Sequence, residues 1–268
     1  MQGKVFLKTL RDMRGALIAW TIGMFLTGVL FMSFYPAVRD SMGQVEDLLD
    51  RMPATVRALA GEATDFSTVN GYLSTKALSS FFPVLVLAFT ISYGASLIGG
   101  EEETGTLDLL LATPTPRWRI VLEKFAALVL FTVVALVAAY AGVVLGSIPV
   151  DAFNELNLGR LLAGVLDIAP MGLFFGALTL AITCVRPGRG TALGTAAGLA
   201  GVTYLLDTMA ELAGIPKAIQ VLSPWYHFNG DAVLVRGVNA GSVALLLGLA
   251  AALVVVAMIG FERRDAGV

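Results

Sequence analysis

The chain has 268 residues, of which 57% are hydrophobic and 14% charged, with a net charge of −2. A soluble domain is about half apolar and roughly a quarter charged. Together with a mean hydropathy of +0.80, these figures exclude a disordered chain, a nucleic-acid binder and a soluble enzyme of ordinary composition. One Cys and one His exclude a disulfide framework and a Cys/His zinc site within one chain.

A bilayer core about 30 Å thick needs about 20 apolar residues per helix. Six runs meet that length: residues 15–35, 78–99, 125–146, 158–185, 191–213 and 242–261. The predicted fold is therefore an all-α membrane protein, one transmembrane domain over 1–268 with six spans. The first run is longer than the apolar stretch of a signal peptide, and five more follow it, so it reads as a span.

Ahead of that span, in residues 1–14, Val5, Phe6, Leu10 and Met13 alternate with Lys4, Lys8, Arg11 and Arg14. This predicts an amphipathic helix lying at the inner membrane surface. Residues 36–77 form the first outer loop, where Val45, Leu48, Leu49, Met52, Val56 and Leu59 recur at helical spacing. Pro53 suits a first turn and Gly61 an end, so two short amphipathic helices are expected there.

The connection over 101–119 is the most informative. Glu101, Glu102 and Glu103 leave the second span together, and Gly105 permits a sharp change of direction. Thr104 or Thr106 can cap the next helix, and Asp108 suits its positive end. Leu107, Leu109, Leu110 and Leu111 supply little more than one apolar turn before Pro114 and Pro116 end it and Arg117 begins the return. The product is a short helix held outside the bilayer with an apolar surface, which either packs on its own bundle or enters a partner's groove.

Residues 186–190 form a tight basic turn around Pro187 and Gly188. Residues 214–241 are partly apolar but too short for two spans. Pro216 and Pro224 interrupt them, so a re-entrant pair of half helices is expected, with Trp225 and Tyr226 at the interface. His227 reads as an interfacial polar aromatic, and Cys184 as a small buried hydrophobe.

Of the Lys and Arg residues, eleven fall on the side of the two termini and seven on the other. Both termini are therefore expected in the cytoplasm.

A charge inside a span is costly and is a functional suspect. Asp167 stands about two turns from Arg160, so the two form an ion pair or Asp167 belongs to a substrate or proton site. Asp207 and Glu211, four apart, imply water access near the outer end of the fifth span. Thr90, Ser92, Tyr93 and Ser96 either line a pathway or bond between helices. Small-residue spacings occur at Gly142/Gly146, Gly172/Gly176 and Gly194/Gly198 with Gly201, and the last set is the preferred subunit interface.

The stretch from Glu101 through Gly105, Thr106, Leu107, Leu109 and Leu110 to Pro114, followed by Arg117 and Lys124, resembles the cytoplasmic signature of type-2 ATP-binding-cassette exporter permeases. The ending Phe261-Glu262-Arg263-Arg264-Asp265 is similar to that family's as well, while the third glutamate departs from its usual pair. The resemblance spans essentially the whole chain. It implies that residues 101–119 are a coupling segment docked into a separate ATPase subunit. The working unit it implies is a permease homodimer with two ATPases in the cytoplasmic membrane. It further implies that the chain carries no cofactor and that the partner binds ATP and Mg.

The residues agree that this chain is not the ATPase. A P-loop needs Gly-x4-Gly-Lys-Ser/Thr, and the only Gly-Lys pair is Gly3-Lys4, followed by Val5. An intramembrane serine protease would need His227 as its base beside a Gly-x-Ser-Gly element that the sequence lacks. An ion-coupled secondary transporter remains the alternative, with Asp167 as its buried ionisable group.

Overall fold

A computed structural model describes residues 3–50, 68–112, 114–210, 216–228, 230 and 233–264. Among them all regular structure is helical. Five helical stretches are long and apolar enough to cross a membrane: Arg14–Ser41, Val69–Glu103, Arg117–Ser147, Leu158–Val185 and Ala240–Arg263. The predicted fifth span is a helix of 20 residues, Arg189–Thr208. It is not among the five, because repeated Gly and Thr dilute its leucines.

The chain opens with α1 (Lys4–Asp12), the expected amphipathic helix, which buries Val5 and Thr9. Next, α2 (Arg14–Asp50) carries the first span straight on through Pro36, where a loop was expected. Pro36 removes one main-chain hydrogen bond, which a helix held by its neighbours tolerates. The predicted features at Met52, Pro53, Val56, Leu59 and Gly61 lie outside the described residues.

The second span starts earlier than hydropathy indicates. It comprises α3 (Val69–Tyr72), a π-helical segment Leu73–Phe81, and α4 (Phe82–Glu103). A short α5 (Leu107–Leu111) leads to α6 (Arg117–Ser147), which extends the third span at both ends. The fourth span is two helices, α7 (Leu158–Leu166) and α8 (Ala169–Val185), broken at Asp167 and Ile168 with Pro170 opening the second.

After the fifth helix, α9 (Arg189–Thr208), the described residues form single turns where half helices were expected: α10 (Lys217–Gln220), a 3₁₀ turn at Trp225–His227, and α11 (Val233–Arg236). Trp225 packs within the chain. It is buried, its indole N–H donates to the Ala200 carbonyl at 3.1 Å, and its ring meets Tyr204 at 4.9 Å. His227 Nε2 lies 2.8 Å from the Val221 carbonyl. The last span is α12 (Ala240–Arg263).

Two close crossings organise the bundle. Helix α2 packs on α6 where Gly142 meets the Phe25 backbone, and α4 packs on α8 where a Cβ on Gly94 would stand 2.5 Å from the Gly176 carbonyl. Glycine is needed at both, because any side chain would drive the backbones apart. The small-residue spacings at Gly142/Gly146 and Gly172/Gly176 are thus consumed within the chain. Gly194, Gly198 and Gly201 on α9 have nothing within 4 Å of where a Cβ would sit.

One apolar cluster, including Tyr35, Tyr72, Phe82 and Ile168, fills one half of the bundle. Another, including Val5, Leu110, Ile120, Cys184 and Phe261, fills the half toward the chain termini.

Candidate functional site

The elbow between α4 and α6 is built from the glutamate triplet outward. Glu101 is buried at the base of α4. Its carboxylate accepts from Lys8 Nζ at 2.8 Å and from Lys124 Nζ at 2.9 Å, and it also accepts the Thr106 hydroxyl. Glu102 pairs with Arg264, and Glu103 accepts from Arg189 at 3.1 Å. Three consecutive carboxylates therefore reach four separate parts of the chain: α1, α6, the start of α9 and the end of α12. A helix turns about 100° per residue, so neighbouring side chains point in different directions, and here each direction meets a cation.

Lys124 is only 4% exposed at its side chain, whereas Lys8 is 44% exposed. Burial works against the charge on Lys8, but the hydrogen bond and the charge of Glu101 outweigh it and raise the amine above its ordinary value.

The turn itself requires Gly105, whose φ of +67° lies in the left-handed region. Thr106 occupies the N-cap position of α5, but its hydroxyl is drawn to Glu101 and makes no cap bond. Of the leucines in α5, Leu110 is buried against the bundle, while Leu109 is 72% exposed. Arg117 was expected to help in coupling. It clamps the end of α12, donating to the Phe261 carbonyl at 3.2 Å and the Arg264 carbonyl at 2.5 Å. Pro114 lies exposed after α5.

Sequence reading missed Glu123. Its carboxylate accepts from the free amides of Gly3, Val5 and Phe6 at 3.0–3.2 Å, and from Arg119 at 2.9 Å. It thereby caps the positive end of α1 and fastens that helix to the base of α6. The only sequence signal was its position four residues after Arg119.

The four candidate pathway residues separate. Thr90 is fully buried at the α4–α8 crossing, its hydroxyl donating to the Val86 carbonyl at 2.9 Å. Ser96 bonds back to the Ser92 carbonyl at 2.7 Å. Tyr93 and Ser96 line a cavity of 450 Å³ shared with Lys8, Glu101 and Lys124. A second cavity of 280 Å³ lies between α1, Leu110 and Pro114–Pro116.

The expected Asp167–Arg160 ion pair does not form. The Arg160 guanidinium donates to the Leu234 carbonyl of α11 at 3.3 Å instead. Asp167 is 8% exposed and has no side-chain partner among the described residues. Asp207 has an interaction of its own, and Glu211 lies outside the described residues.

A family model described as multidrug efflux system permease Rv1217c, C-terminal domain, matches residues 7–262. No curated protein gives a significant match to the chain.

Proposed function

The chain belongs to that family of multidrug efflux permease domains, and on this premise we propose that it is the membrane subunit of an ATP-driven exporter, coupled through its elbow to a separate ATPase. The family and the apolar helices make it an integral membrane protein with a transport role. The finer reading rests chiefly on one observation. Leu109 stands 72% exposed on an elbow whose Leu110 is buried against the bundle and whose three glutamates are ion-paired to it. A turn fastened by ion pairs to α1, α6, α9 and α12 moves as one with them. An exposed leucine at its tip is an anchor for a partner's apolar groove.

In this reading both termini and the elbow face the cytoplasm. In the same reading ATP and Mg are bound by the partner, since this sequence carries no P-loop pattern. Two copies pair along α9, where Gly194, Gly198 and Gly201 are unfilled. The cargo is expected to be apolar or amphiphilic organic molecules, a class compatible with a multidrug efflux family.

The test is to co-express the tagged chain with a P-loop ATPase from its own genome, purify the complex and measure ATP turnover. Wild-type chain is expected to retain the ATPase and stimulate it, and Leu109→Asp to lose both while the chain still inserts. A wild-type chain that retains no ATPase, or a Leu109→Asp variant with full stimulation, refutes the reading. The ion-coupled alternative has one observation in its favour, the unpartnered carboxylate of Asp167. It predicts transport that stops when the proton gradient is collapsed and that ignores ATP.

A further inference from the structure

Charge is shared unevenly between the two cavities beside α1. The cavity of 450 Å³ sets Lys8 and Lys124 against Asp12 and Glu101 and is balanced. The cavity of 280 Å³ sets Lys4, Lys8 and Arg119 against Glu123 alone. That carboxylate is already committed to Arg119 and to the amides of Gly3, Val5 and Phe6. Lys8 shares its charge with Glu101. Lys4 is exposed and makes no ion pair among the described residues. The smaller cavity therefore carries uncompensated positive charge, and the ligand that suits it is an anion.

Its position says which anion. Helix α1 forms one wall, and Leu110, Pro114, Pro116 and the first turns of α6 form the other. Two of the membrane-crossing stretches begin beside it, at Arg14 and at Arg117. The bonds from Glu123 hold the start of α1 against α6, so both walls stand where the chain enters the bilayer. That is the depth of the phosphates of one leaflet. At about 100° per residue, Lys4, Lys8 and Arg11 follow one edge of α1, and Leu7 lies beside them, 63% exposed. Trp118, in the first turn of α6, is exposed as well. Cations bordered by an exposed leucine and tryptophan suit a surface among lipid headgroups.

Volume decides how much of a lipid enters. Sites for whole drug-sized molecules span about 300–1,000 Å³. A cavity of 280 Å³ takes a phosphate with its glycerol and leaves the acyl chains outside.

We propose that Lys4, Lys8 and Arg119 bind the phosphate of an anionic phospholipid in this cavity, with Val5 and Leu110 against its glycerol. The inference needs only that the chain is an integral membrane protein, and it rests neither on ATP coupling nor on the cargo.

The test is equilibrium binding of radiolabelled dioleoylphosphatidylglycerol to the purified full chain in detergent, beside dioleoylphosphatidylcholine and inorganic phosphate. Each cation facing an anionic lipid is worth roughly 5-fold in affinity. Wild type is expected to bind phosphatidylglycerol saturably and to prefer it to phosphatidylcholine by at least about 5-fold. Lys4→Gln should weaken that binding roughly 5-fold, and Lys4→Gln with Arg119→Gln about 30-fold. Lys4→Arg keeps it. Arg11→Gln with Arg14→Gln removes the same two charges away from the cavity and should cost less than about 3-fold. Equal losses from the two double variants overturn the proposal, because the whole basic surface is then the attractant. Wild type that does not distinguish the two lipids, or that releases phosphatidylglycerol to an equal concentration of inorganic phosphate, overturns it too. A cavity double variant that still binds the lipid but no longer captures an ATPase assigns the cavity to an acidic side chain of that partner instead.

Discussion

Removing the carboxylate of Glu101 leaves Lys124 with a positive charge that is only 4% exposed and has lost its partner at 2.9 Å. Deleting one member of a buried pair costs about 3–5 kcal/mol, because the other remains desolvated and uncompensated. The Thr106 hydroxyl loses its acceptor as well, about 1 kcal/mol more. Lys8 is 44% exposed, and deleting such a cation costs about 0–1 kcal/mol. Glu101→Ala is therefore expected to damage the chain far more than Lys8→Ala, although both break a contact to the same carboxylate. At about 2–4 °C per kcal/mol for a chain of this size, the midpoint should fall by roughly 8–24 °C for Glu101→Ala and by less than about 4 °C for Lys8→Ala. The assay is thermal unfolding of the purified protein in detergent, followed by tryptophan fluorescence. The double variant Glu101→Gln with Lys124→Met leaves no buried charge and should recover most of the loss. Equal damage from Lys8→Ala and Glu101→Ala, or no rescue in the double variant, would refute the buried-pair argument.

The adjacent leucines of α5 should part company. Leu109→Asp leaves the melting temperature unchanged and weakens ATPase capture by roughly 10- to 100-fold, the worth of about 1.5–3 kcal/mol of leucine burial, whereas Leu110→Asp destabilises the chain itself. On a Cys184→Ala background, Gly198→Cys should give an oxidant-dependent dimer on a non-reducing gel, since nothing among the described residues covers that position. The absence of that dimer would count against pairing along α9. The Lys8 amine is raised above its ordinary 10.5, so its contact with Glu101 stabilises fully below that value and is lost as pH rises through the folded pKa. The melting difference between wild type and Lys8→Met should therefore be constant from pH 7 to pH 9 and shrink only in stronger alkali. A difference that vanishes near neutrality would contradict it.

Local order was written in the sequence. Five of the six apolar runs are helices long and apolar enough to cross a membrane, the alternation in residues 4–13 is the helix α1, and Gly105 with Pro114 and Pro116 bounds the elbow. These follow from periodicity and backbone sterics within a few residues. Span limits were less legible, because amphipathic ends such as Val69–Lys76 and Arg117–Lys124 are polar enough to fall outside a hydropathy run and are still helical where neighbours cover them.

What tertiary structure alone decided was which groups meet. The triplet at 101–103 read as a surface for a partner, yet Glu101 reaches Lys8 across 93 residues and Glu102 reaches Arg264 across 162. Three glycine spacings looked equivalent, and only the bundle shows that two are filled by the chain and one is open. Asp167 and Arg160 share a helix face on paper, but the Arg160 guanidinium is taken by the carbonyl of Leu234, a residue 74 positions away. A helix is specified by neighbours in sequence, whereas an ion pair depends on how distant helices rotate and stack. That rotation is a property of the whole packed bundle, and no segment carries it alone.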